Sequence, residues 1–343
     1  MRPWTARTLV SVTLATLLTT AAQAQSVAEF YRGKTINMVI GYTVGGVYDL
    51  YARTLSRFMG KHIPGNPSIV PQNMAGAGSL KAANYIYNVA PKDGLSLVTF
   101  ARGLPMEPLI GSSEAQFEAG KFTWIGSGTN EMSVCATWHT SQVKTWDDML
   151  QKPFTVGGEG SGSDPDIFSA ILKNTFGVKL KMVSGYPGGN EISLAMERGE
   201  VDGRCGWSWS SIKAAKPDWI RDKKLNLMVQ LAMTKSPELP NVPLIADVAD
   251  NRQRQILQLV MSRQVMGRPF AAAPGIPDDR KAALRKAFDD TMKDPEFLAE
   301  AQKLRLDVNP VSGAEIEKLI YQLYQTPKDV IAETRAAVAK GSQ

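Results

Sequence analysis

The chain has 343 residues, 43% apolar and 21% charged, which is enough for two domains with cores of their own and unlike a disordered segment. Its formal charge is +6, and the basic residues are scattered without the runs that mark a nucleic-acid or membrane-binding patch, so no nucleic-acid partner is expected. Two cysteines and two histidines, far apart in sequence, lack metal-ligand spacing, and no metal or cofactor is expected.

Arg2 and Arg7 precede an apolar run over 9–18 that ends in Ala22-Gln23-Ala24, the pattern of a secretory signal cleaved before Gln25. The run is too short to span a bilayer. Residues 1–24 are therefore read as a signal peptide. Without its two arginines the mature chain carries a formal +4, from 37 basic and 33 acidic residues, which suits a small anionic ligand.

Residues 36–40 form an apolar strand that runs into a loop holding Gly41, Gly45 and Gly46, and a helix opens near Asp49. Strand, glycine loop and helix start, in that order, bring backbone N–H groups and the positive end of a helix dipole to the C-terminal edge of a sheet, where anions bind. The loop is no nucleotide cradle, because no Lys-Ser/Thr pair follows the glycines and the dinucleotide spacing is missing. Asp49 suits a cap for the helix start. Tyr42 and Tyr48 flank the loop. A second glycine turn over 73–79 opens a helix over 80–89. The strand over 95–100 then ends near Arg102, whose planar fork suits a carboxylate if the sheet is parallel.

Two strands around 124–138 mark the crossing into a second domain. The strand over 154–157 leads to a third glycine turn, GGEGSGSDPD, in which Ser161 and Ser163 add hydroxyl donors and Asp164-Pro165 starts a helix. A strand over 181–184, a fourth turn over 185–190 and another helix follow. The strand over 201–206 carries Arg204, the alternative charge partner. Trp207 and Trp209 share a face if that strand continues, on a cleft wall or in ordinary core packing. Cys135 and Cys205 lie in strand-like stretches where a disulfide and two inert buried thiols both fit. Strand, glycine turn and helix thus recur twice in each half, describing a cleft between two α/β lobes.

The stretches KTINMVIGYTVGGVYDLYAR, NMAGAGS, APKDG, GGEGSGSDPD, GYPGGNEISLAMERGEVDG and GRPFAAAPGIPDDRKAALRKAF are spread along most of the mature chain. Their order and spacing resemble the tripartite tricarboxylate transporter substrate-binding proteins, the Bug family of periplasmic receptors. The resemblance implies a monomeric, type II-like periplasmic binding protein with lobe 1 over 25–130 and 265–343 and lobe 2 over 131–264. It would close on a small organic carboxylate and deliver it to the membrane subunits of a tripartite tricarboxylate-type transporter. It carries ligand contact onto Val44, Gly45, Gly46 and Asp49 in the first loop, Gly76, Ala77 and Gly78 in the second, and Ser161, Gly162 and Ser163 in the third. Tyr42, Tyr48, Arg102, Arg204 and Trp207 join them from the residue reading. The chain departs from the family in its first loop, Val44-Gly45-Gly46-Val47-Tyr48, and in Asp164-Pro165-Asp166, where many members have a histidine.

Two other readings arise for an exported α/β chain. A receptor feeding a membrane sensor kinase has the same sequence features. An exported hydrolase does not, since the G-x-S-x-G elbow is missing and neither His62 nor His139 has an evident serine or cysteine partner; no catalytic residue is expected.

Overall fold

A computed structural model describes residues 25–110, 112–160 and 162–339. The signal peptide read over 1–24 and the candidate contact Ser161 lie outside the described residues. The chain begins α1 (Val27–Tyr31), β1 (Thr35–Ile40), α2 (Val47–Met59), β2 (Ser68–Asn73), α3 (Leu80–Asn88), β3 (Ser96–Thr99), α4 (Glu107–Ile110) and β4 (Thr123–Ser127). It continues through β5 (Ser133–Trp138), α5 (Trp146–Gln151), β6 (Phe154–Gly157), α6 (Asp164–Phe176), β7 (Leu180–Val183), α7 (Gly189–Glu197), β8 (Gly203–Ser208), α8 (Trp209–Ala215), α9 (Pro217–Arg221) and β9 (Leu225–Leu231). The last elements are α10 (Ile245–Val248), α11 (Asn251–Met261), β10 (Pro269–Ala272), α12 (Asp278–Thr291), α13 (Pro295–Lys303), β11 (Val311–Ser312), α14 (Gly313–Leu323) and α15 (Lys328–Ala339).

Two mixed sheets result, in the orders β11-β4-β10-β3-β1-β2 and β7-β6-β8-β5-β9. In the first, β1 runs parallel to β2 and β3 while β10 is antiparallel to β3 and β4; in the second, β6 is parallel to β7 and β8 while β5 is antiparallel to β8 and β9. The parallel strands place the loops after β1 and β3 at one edge of their sheet, and the loops after β6, β7 and β8 at one edge of the other.

Each sheet has its own core. In the first lobe Met38 and Ile40 of β1 meet Phe100, Trp124, Phe270 and Phe288, with Tyr51, Leu55 and Met59 of α2 closing one face at helical spacing. In the second lobe Phe154, Val156, Phe168 and Met228 form one layer, and Val134, Ile192, Met196, Trp207 and Trp219 form the layer on the opposite face. The alternation along β5 shows this directly, with Val134 and Ala136 in one layer and Cys135 in the other. Cys135 and Cys205 face each other across β5 and β8 and are joined as a disulfide, which decides between the two alternatives the sequence leaves open.

Two elements differ from the sequence reading. The strand carrying Arg204 does not continue to Trp209: β8 ends at Ser208 and Trp209 opens α8. The glycine Gly206, at φ +75°, is a one-residue bulge opposite the Val134/Cys135 step, so Cys205 and Trp207 point to opposite faces although they are two residues apart. The second difference is α15, which has no counterpart in the reading and falls in the 265–343 span given to the first lobe. It packs on α6 and α11; Val330 enters the first core, Ala337 enters the second, and Asn174 Nδ2 donates to the Ala337 carbonyl (2.5 Å).

Candidate ligand cleft

The first loop is built around Asp49. α2 opens at Val47, two residues earlier than the sequence suggests, and the Asp49 carboxylate turns back to accept the Gly45 N–H (2.8 Å), Asn73 Nδ2 (2.8 Å) and Arg53 Nε (2.9 Å). Asn73 Nδ2 also donates to the Tyr42 carbonyl (2.9 Å), so the two ends of the loop are tied through one amide. Burial alone would raise the Asp49 pKa; the bonds from Arg53, Gly45 and Asn73 outweigh it and hold the carboxyl below its ordinary range. Gly41 is obligatory for packing, because a Cβ there would lie 2.3 Å from the Ser79 Cβ.

The loop thus fixed presents Tyr42, Thr43, Gly46, Val47 and Tyr48 to a narrow cleft that is partly open to solvent. Tyr42 and Tyr48 stack with ring centroids 4.4 Å apart at 25°, and Arg268 sits over the Tyr48 ring at 4.6 Å. Burial pushes both phenols above their ordinary pKa.

The facing wall comes from the second lobe: Glu159, Asp164 and Pro165 of the third turn, Gly189, Asn190 and Ser193 of α7, and Arg204, Trp207 and Ser208 of β8. Arg204 Nη2 donates to Glu159 Oε1 (2.6 Å), its guanidinium lies 5.5 Å from the Trp207 ring centroid, and it fills the space where a side chain on Gly189 would stand. Burial raises the Glu159 pKa; Arg204 opposes the rise, while Asp166, Asp164 and Glu191 add to it. Asp166 shapes the turn by accepting the N–H groups of Glu159 (2.7 Å) and Gly160 (2.9 Å) and the Ser163 hydroxyl (2.7 Å). The lobes touch across the cleft, where Thr43 Oγ1 donates to Glu191 Oε2 (3.4 Å) and the Gly78 N–H to the Glu159 carbonyl (3.2 Å).

Of the residues singled out in the sequence, Tyr42, Gly46, Tyr48, Arg204 and Trp207 line this cleft. The others stand elsewhere. Arg102 was read as a partner for a ligand carboxylate; instead it is 1% exposed and bonded within the protein, Nε to Asp164 Oδ2 (2.6 Å) and Nη2 to Ser133 Oγ (2.7 Å). Val44 is 68% exposed, and Gly45 and Asp49 hold the loop from behind. Ala77 and Gly78 meet the third turn backbone to backbone, a Cβ on Gly160 lying 3.2 Å from the Gly78 nitrogen, while Gly76 faces the Lys81 side chain. Gly162 packs against Leu104, and the buried Ser163 serves Asp166. The sequence reading missed Thr43, Glu159, Asp164, Asn190 and Ser193. Glu159 was discoverable as the one acid among the glycines of its turn, and Asn190 as a polar residue in the first turn of a helix.

Among the described residues no group of three or more His, Cys, Asp or Glu side chains is placed to hold a metal ion, and no helix is long and apolar enough to cross a membrane. Two α/β lobes with a cleft at the facing sheet edges make up the two-lobed fold found in periplasmic binding proteins. The structure superposes on the periplasmic binding protein BugD with a TM-score of 0.70 at 17% identity, over 91% of this chain and 98% of that one. It superposes on R. palustris Rpa4515 with adipate with a TM-score of 0.68, also at 17% identity, over 89% and 98% of the two chains. By sequence, the "UPF0065 protein in gbd 5'region" of Cupriavidus necator is 26% identical over 254 residues, 72% of this chain and 74% of that protein. No family model matches the chain. The resemblance to the Bug receptors read from the motifs agrees with these neighbours.

Proposed function

We propose that the chain is a periplasmic solute-binding protein that captures a small organic carboxylate and delivers it to the membrane subunits of a tripartite tricarboxylate-type transporter. One observation carries the reading: the first turns of α2, from one lobe, and of α7, from the other, open onto the same cleft. The first N–H groups of a helix have no acceptor within it, and two positive dipole ends converging on one space favour an anion. That adipate is present in the R. palustris neighbour supports the acid class. The lobes divide at 130/131 and 264/265, with α15 straddling the division. Capture is hinge closure about those two crossings, and the contacts of Thr43 with Glu191 and of Gly78 with Glu159 belong to the closed form.

Thermal unfolding of residues 25–343 against a panel of organic acids and their fully amidated forms tests this. A ligand at about 100 times its dissociation constant adds about 2.7 kcal/mol, which a melting curve resolves. A shift with an acid and none with its diamide is expected; shifts only with neutral or cationic compounds overturn the reading.

A further inference from the structure

The cations at the cleft are already engaged. Arg204 is held by Glu159 (2.6 Å), Arg102 by Asp164 (2.6 Å), Arg263 by the other oxygen of Asp164 (3.4 Å), and Arg268 by Glu131 (3.1 Å). The charged side chains that line the cleft are therefore two carboxylates, Glu159 and Asp164, and one paired guanidinium, Arg204. One ligand carboxylate is accommodated by the helix starts. A second carboxylate on the same molecule would face Glu159, which is 5% exposed, and Asp164 beside it, with Asp166 and Glu191 adding to the negative field. Like charges brought together in a buried interface repel and weaken binding.

The same wall has an unmet need of a different kind. Arg204 gives Nη2 to Glu159, and its Nη1 stands against Gly189 at the start of α7, where both residues line the cleft. That remaining donor favours an acceptor from the ligand. Beside it, the Glu159 carboxylate can take only a donor. An acceptor and a donor side by side describe an uncharged polar group such as a carboxamide or a hydroxyl. Asn190, Ser193 and Ser208 line the same wall with neutral groups.

Resting on the carboxylate reading above, we propose that the cleft takes acids with a single carboxylate and an uncharged donor–acceptor group at the far end, and that Glu159, paired with Arg204, is the residue that rejects a second carboxylate. Calorimetric titration of residues 25–343 with matched sets tests it: succinate, succinamate and succinamide; adipate, adipamate and adipamide; phthalate, phthalamate and phthalamide. The monoamide is expected to bind about tenfold or more tightly than the diacid of the same skeleton. In Glu159→Gln the diacid is expected to gain about tenfold and the preference to shrink. The comparison within the unaltered protein stands if that variant does not fold. A diacid bound as tightly as its monoamide overturns this inference and leaves the carboxylate reading intact. Binding of diamides alone, or of no acid in the sets, overturns both. A folded Glu159→Gln with the preference unchanged overturns the role of Glu159.

Discussion

Arg102 shows what a single residue in a sequence does and does not disclose. Its place after a parallel strand was legible, because the strand over 95–100 and the glycine loops announce a common sheet edge. Its partner was not: Asp164 lies 62 residues on and belongs to the other lobe, so the pairing exists only after the lobes dock. Asp294 is a second carboxylate whose role is tertiary. It caps α13 by accepting the Glu296 N–H (2.9 Å) and is bonded by Lys61 Nζ (2.7 Å) and His62 Nε2 (2.9 Å) from the turn that follows α2. The Lys61 bond, with smaller help from His62 and the Glu296 N–H against the effect of burial, holds its pKa well below the aspartate range. A carboxyl depressed in the folded state stabilises fully above its unfolded pKa, and that stability is lost as pH falls from the ordinary aspartate range toward the folded value. Asp294→Ala is therefore expected to lower stability near neutral pH by about 1 kcal/mol through the lost cap alone. Urea unfolding followed from pH 7 to pH 3 should show the difference from the parent shrinking as acid is added.

At the scale of elements, the apolar periods were enough to find most strands and helices. The local φ values that aim side chains were not. Gly206 reads like any other glycine in a strand, yet its positive φ makes the bulge that turns Trp207 into the cleft layer and leaves Cys205 in the disulfide layer. Close approach is a second requirement there, since a Cβ at 206 would stand 2.5 Å from the Asp164 carbonyl oxygen at the start of α6. Gly206→Ala combines a left-handed conformation, costing about 1–2 kcal/mol, with that collision. The variant is expected to melt earlier and to change its near-UV tryptophan signal, because Trp207 and the head of α6 must both shift. A variant with unchanged melting and unchanged near-UV spectrum would show that the bulge does not depend on glycine.

For the whole molecule, the two-lobed plan was legible because the strand, glycine turn and helix unit recurs in both halves. The cysteine pairing was not, since β5 and β8 become neighbours only in the folded sheet. Joining residues 70 apart in sequence, the bond restricts the unfolded chain, and the chain-entropy model assigns such a loop about 4 kcal/mol. Unfolding in denaturant with and without a thiol reductant is expected to differ by up to that amount, with the second lobe the part that loosens; equal midpoints in the two conditions would contradict it.

The helix α15 bears on how the lobes move. α15 has residues in both cores; under the proposed closure it would bend as a leaf spring between the lobes, its stiffness helping to set how often the empty protein stands open. Arg252 of α11 grips it through Glu333 and Asp329 (3.0 Å), and Arg335 Nη2 reaches back to the Leu109 carbonyl (3.1 Å). These attachments are partly exposed ion pairs and bonds, weakened by salt over a screening length of about 8 Å at physiological ionic strength. Under the proposed closure, ionic strength would therefore act on this protein at two places: at the cleft, where it screens a charged ligand, and at the spring, where it changes the resting angle of the lobes with the cleft empty.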